Sequence, residues 1–165
     1  MGWSSEFKDQ SILRLNENPP RILNCLDRLD EDQVWQKPNS NSNSIGNLIL
    51  HLCGNIRQYA ISSLGNLLDD RERDQEFSAS GGVSKSELFD NLKSTIEEAC
   101  DVINHQSEED LLKIRNVQGF ELSGIGVIIH VVEHLSYHTG QIAYWTKILT
   151  EDDLGFYAGI DLNKK

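Results

Sequence analysis

Four long amphipathic segments, no competing strand pattern and a length suited to one domain predict an all-α four-helix bundle. The chain has 165 residues, enough to bury a core without disulfides or a structural metal. One domain over residues 1–165 is expected. The first helix is predicted over Ser5–Leu29, with apolar residues at Ile12, Leu15, Ile22, Leu23, Leu26 and Leu29. Pro19-Pro20 falls in its middle, so the helix is either kinked or split there.

The polar turn Asn39-Ser40-Asn41-Ser42-Asn43-Ser44 leads into the second helix, with Ser44 as N-cap and Gly65 as terminator near Leu64. Ile45, Leu48, Ile49, Leu52, Ile56, Tyr59 and Ala60 follow the three-four rhythm of a buried helical face. The charge run from Asp69 to Glu76 reads as a solvated connector. Ser84-Lys85-Ser86-Glu87 is a capping box that opens the third helix, which ends near His105. A short helical turn is expected at Ser107–Asp110, then an extended connection over Ile114–Leu122. The fourth helix runs from Ser123 to Thr150 and carries Gly124, Gly126 and Gly140. Residues 151–165 have no firm pattern.

Composition excludes several functions. With 26 acidic against 15 basic residues and a formal charge of −11, the chain lacks the basic footprint that nucleic acid or an anionic membrane demands. Cys25, Cys53 and Cys100 are far apart and form no CxxC pair, which fits small buried hydrophobes in a reducing compartment. The N-terminus has neither a signal-peptide pattern nor a myristoylation pattern, so a cytoplasmic protein is expected.

Chemistry concentrates in the fourth helix. At about 100° per residue, His130, His134 and His138 occupy a sector of roughly 80°, with Tyr137, Gln141 and Trp145 in or near it. Histidines one turn apart can point at one ion. They are equally consistent with core histidines satisfied by carbonyls, serines or water. His51, at the edge of the apolar face of the second helix, supplies the third ligand that an HxxxH pair lacks, since bundles build sites from facing helices. Paired carboxylate di-iron chemistry is disfavoured, because neither His134 nor His138 has a Glu three residues before it.

Asn43-Ser44-Ile45-Gly46-Asn47-Leu48-Ile49-Leu50-His51-Leu52 and Val131-Val132-Glu133-His134-Leu135-Ser136-Tyr137-His138-Thr139-Gly140-Gln141-Ile142 resemble the two signature regions of DinB-like proteins. The resemblance covers nearly the whole chain and is closest to an uncharacterised branch of that superfamily. It implies a DinB-like four-helix bundle in which His51, His134 and His138 hold one divalent metal, zinc foremost, with nickel, manganese or iron as alternatives. His130 lies outside the shared triad and is kept as a supporting or substrate-facing residue. The resemblance also implies a metal-dependent thiol S-transferase acting on a small-molecule thiol. A metal-dependent hydrolase and a non-catalytic metal-binding or stress-response protein are the alternatives. Glu133, Tyr137 and Gln141 are the candidate assisting residues. The apolar girth of the fourth helix predicts a homodimer, with Ile128, Val132 and Leu135 as the candidate contact.

Overall fold

The computed structural model of the protein describes residues 2–164. Four bundle positions are filled by α1 (Trp3–Asn16) with α2 (Pro19–Asp27), by α4 (Ile45–Ile56) with a π-helical continuation (Arg57–Leu64), by α6 (Lys85–Asn104) and by α8 (Gly124–Thr150). Three short helices, α3 (Glu31–Trp35), α5 (Arg73–Ser78) and α7 (Glu108–Leu112), and the hairpin β1 (Ile114–Val117) and β2 (Phe120–Ser123) connect them.

The double proline splits the first position rather than kinking it. Pro19 and Pro20 occupy the first turn of α2, where a missing N–H costs nothing. Asn18 makes the joint: its side-chain amide donates to Arg14 O at 2.8 Å, and its carbonyl accepts from Arg21 and Ile22. The expected capping box forms between Ser84 and Glu87 on α6, and the expected N-cap Ser44 proves to be part of a capping box too, closed by Asn47 on α4. Asn47 does more than cap. Its Nδ2 donates to the carbonyls of Glu76 at 2.9 Å and Ala79 at 2.7 Å, which straps α5 across α4.

The core runs the length of the bundle through Leu26, Ile49, Leu52, Leu92, Ile96 and Leu135, all at most 1% exposed. Each such side chain contributes about 1.5–3 kcal/mol by leaving water. Ile128 and Leu135 belong to this core, so the flank expected to meet a second subunit packs internally, and only Val132 is half-exposed. The solvent side of α8 instead carries Ile129, Tyr137, Tyr144 and Ile148.

The connection over 114–122 is a true antiparallel hairpin, with Val117 opposite Phe120. Its turn residues Gln118 and Gly119 have φ of 52° and 84°, the left-handed pair of a tight two-residue turn. Gln replaces the usual Asn or Asp there, which conceals the turn in the sequence. Arg115 staples the hairpin to the bundle by donating to the carbonyls of Ser63, Asp110 and Lys113. The tail caps the other end: Leu154 is buried, its carbonyl accepts from Asn24, and Arg21 lies over the rings of Phe156 and Tyr157. Among the described residues no helix is long and apolar enough to cross a membrane. All three cysteines are free, with Cys25 and Cys53 buried.

Candidate metal centre

His51 from α4 meets His134 and His138 from α8 between the two helices. One ring nitrogen of each lies within 4.8 Å of the others. The Nε2 atoms of His51 and His134 are 2.9 Å apart, and the His134 and His138 ring centres are 4.4 Å apart at 82°. His51 and His138 are 7% and 8% exposed, and His134 is half-buried.

The far nitrogens of two rings are committed elsewhere. His138 Nδ1 lies 2.7 Å from Gln141 Oε1, a pure acceptor, so the ring proton sits on Nδ1 and Nε2 keeps its lone pair. His51 Nδ1 lies 3.0 Å from Glu76 Oε2. Arg71 grips the same carboxylate through Nε–Oε1 at 2.7 Å and Nη2–Oε2 at 2.8 Å. Arg71 Nη2 also stands 3.1 Å from His51 Nδ1, but a guanidinium only donates. The carboxylate therefore accepts from both groups, and the His51 proton is assigned to Nδ1 by that network. Its Nε2 lone pair then faces the centre.

Burial alone would raise the Glu76 carboxyl. Hydrogen bonds from Arg71 and His51, with their charges, outweigh it and hold Glu76 below the usual carboxylate range. Burial, reinforced by His138, His51 and His130, pushes His134 down to about 3. Burial also lowers His138 against the opposing bond to Gln141. His134 and His138 are therefore neutral near pH 7, the form that binds a metal.

His134 is oriented differently. His130 stacks on it, with ring centres 5.2 Å apart at 19°, and Tyr59 stacks behind His130 at 4.1 Å and 25°. Asn55 Nδ2 holds His130 Nε2 at 3.2 Å. His130 thus supports His134 and is not one of the three convergent groups.

The remaining candidates fall on either side of the site. Gln141 Nε2 donates to the Tyr137 hydroxyl at 3.2 Å, so these two residues back His138 from the solvent side. Glu133 is exposed. Arg71 and Glu76 overturn the reading of residues 69–76 as a solvated connector, for their side chains are only 3% and 10% exposed. Gly54 makes room for them. A Cβ there would collide with the Glu76 carboxylate and come within 2.9 Å of Arg71 Nε. The adjacent Phe77 packs its ring 4.8 Å from His51.

The donor set fits a divalent cation. His138 Nε2 is fully buried with no hydrogen-bond partner among the described residues, and such an orphan costs about 1–3 kcal/mol. Three neutral imidazole nitrogens suit zinc and its neighbours.

Residues 3–158 match the family model described as "Protein of unknown function (DUF1572)". No curated protein matches the chain significantly. Among solved structures, a conserved protein from Enterococcus faecalis is 14% identical, with a TM-score of 0.74 over 87% of this chain and 97% of that one. The DinB-like protein YjoA from Bacillus subtilis gives 14% and 0.65 over 87% and 94%. A DinB-like protein from Bacillus cereus gives 14% and 0.67 over 86% and 91%. The chain therefore belongs to the family of proteins of unknown function DUF1572, and its fold is that of the DinB-like proteins.

Proposed function

We propose that His51, His134 and His138 hold one divalent metal, zinc foremost, and that the protein is a thiol S-transferase acting with a small-molecule thiol. The observation that carries the metal is the buried, unpartnered Nε2 of His138 beside the facing Nε2 atoms of His51 and His134. Three neutral ligands leave a coordination position free, and an ion held there lowers the pKa of a thiol or water placed on it.

Transfer is favoured over hydrolysis by the surroundings. A hydrolase needs a base to direct its water, yet Glu133 faces solvent and Glu76 is engaged by His51 and Arg71. A thiol needs only to lose its proton. The chain's own cysteines do not serve: burial raises Cys25, drives Cys53 up to about 12 and, with Asp101 and Glu97, Cys100 to about 11. The nucleophile is therefore external. In the transfer a sulfur–carbon bond forms as the bond to the leaving group breaks. The leaving group keeps the electron pair, and the thiol proton passes to solvent. Gln141 and Tyr137 keep His138 oriented throughout.

The test is a screen of cellular thiols against electrophilic acceptors, using zinc-, nickel-, manganese- and iron-loaded protein. Thiol consumption that requires metal and disappears in His134→Ala is expected. Metal-loaded protein that is inert, and whose cobalt form shows no spectral response to any thiol, would refute the transferase reading.

A further inference from the structure

We propose that a cavity one helical turn from the metal centre is the acceptor pocket, and that it takes an uncharged small molecule bearing an aromatic or alkyl group. Its assignment as the acceptor site rests on the transfer reading above; its binding of neutral apolar groups does not. The cavity, of about 430 Å³, lies between the Asn/Ser turn before α4 and the C-terminal half of α8. That volume suits a small ligand.

Two of its lining residues fix its position. Leu48 is three residues before His51, and Gln141 is three residues after His138. Residues three apart on a helix lie one above the other on one face, so the pocket's inner end adjoins both ligands. Gln141 belongs to both sites, because its Oε1 accepts from His138 Nδ1. A molecule seated against Gln141 lies beside a metal ligand.

The chemistry of the walls selects the occupant. Trp145, Tyr144 and Ile148 form the apolar side of the pocket. The Trp145 indole N–H donates to Gln36 O at 3.3 Å, which fixes the ring as a wall. Tyr144 and Ile148 remain 69% and 48% exposed, apolar surface that a ligand would cover. Asn41 and Asn43 supply neutral donors and acceptors opposite. None of the nine lining residues carries a charge, although a quarter of the chain does. In the metal-free protein a charged solute would lose hydration there and gain no counter-charge from the walls. By contrast, the cavity behind Glu76 is lined by Arg57, Arg71, Glu72 and Glu76.

Three naphthalenes of like shape test this on the full-length protein: neutral 2-naphthol, anionic 2-naphthalenesulfonate and cationic 2-naphthylmethylamine. Binding is followed by equilibrium dialysis on chelated and on zinc-loaded protein. On chelated protein 2-naphthol should bind at least about ten-fold more tightly than either charged probe. Ile148→Asp, at an exposed position that should leave the fold intact by circular dichroism, should lose about ten-fold for 2-naphthol. Ile129→Asp, at another exposed position on the same helix, should not. Replacing zinc with cobalt should broaden the bound 2-naphthol proton resonances. Equal affinity for the three probes, indifference to Ile148→Asp, or unbroadened resonances in cobalt protein would each overturn the proposal. So would a dimer that Ile148→Asp dissociates and 2-naphthol does not, since the cavity would then belong to a subunit contact. Should the transfer reading fail, the comparisons on chelated protein still decide whether the pocket takes neutral rings.

Discussion

His51 Nε2 and His134 Nε2 face each other at 2.9 Å across the interface of α4 and α8. Two lone pairs at that distance repel unless a proton or a cation lies between them. His138 Nε2, buried and unpartnered, stands beside them. One divalent ion would satisfy all three nitrogens together, whereas one proton satisfies only a pair.

Glu76 should matter to metal affinity although it is no ligand in this assignment. Glu76→Gln removes the charge that holds the His51 proton on Nδ1, and zinc affinity should fall about 10–100-fold. Arg71 is left buried without its counter-charge, which should cost about 3–5 kcal/mol of stability. Zinc competition and urea unfolding measure the two effects separately. Unchanged affinity would mean that His51 is oriented without the carboxylate.

Gly54→Ala should act through the same carboxylate. The new methyl group occupies the space of the Glu76 head, so the strap must shift and His51 loses its partner. Zinc affinity should fall in the direction of Glu76→Gln. The double variant should lose little more than Glu76→Gln alone, because both changes break one contact. Additive losses would place the effect of Gly54 elsewhere.

The ring stack gives a separable test. His130→Ala removes the surface against which His134 rests and should weaken cobalt binding by about ten-fold. His130→Phe keeps a flat ring and should stay within about two-fold of the parent. Equal losses in both variants, read from the cobalt spectrum, would show that the imidazole itself is required.

The metal-free protein should lose stability as pH falls below neutrality. His130, His134 and His138 are held below their ordinary value in the folded chain, His134 to about 3. In the unfolded chain such rings take up protons near about pH 6.5. The unfolded state therefore binds more protons below that pH, so stability is full above about 6.5 and declines as pH falls. Glu76, held low, adds its own loss only below about 4.5. A urea midpoint that drops between pH 7 and 5 is expected. A flat profile would mean that the histidines titrate alike in both states.

The bundle was legible because its signals are local. Apolar spacing, the N-cap at Ser44 and the capping box at Ser84 lie within a few residues of what they specify. Spacing put His130, His134 and His138 in one sector with His51 at the edge of another apolar face, and the resemblance to DinB-like proteins singled out His51, His134 and His138 among them. The outer support was not legible. Glu76 sits in a dense acidic and basic run, and only tertiary folding of the strap by Asn47 turns it inward. Pairing of Tyr59 with His130 likewise depends on helix packing that no spacing rule encodes. The hairpin was hidden by Gln118 in place of a commoner turn residue.

The most direct test of the metal centre is elemental analysis of protein prepared without a histidine tag, alongside His134→Ala. The expected result is close to one equivalent of zinc, nickel, manganese or iron per chain, absent from the variant while its helical circular dichroism is kept. Full metal retention by His134→Ala, or a parent protein that neither carries nor takes up any of these ions, would contradict it.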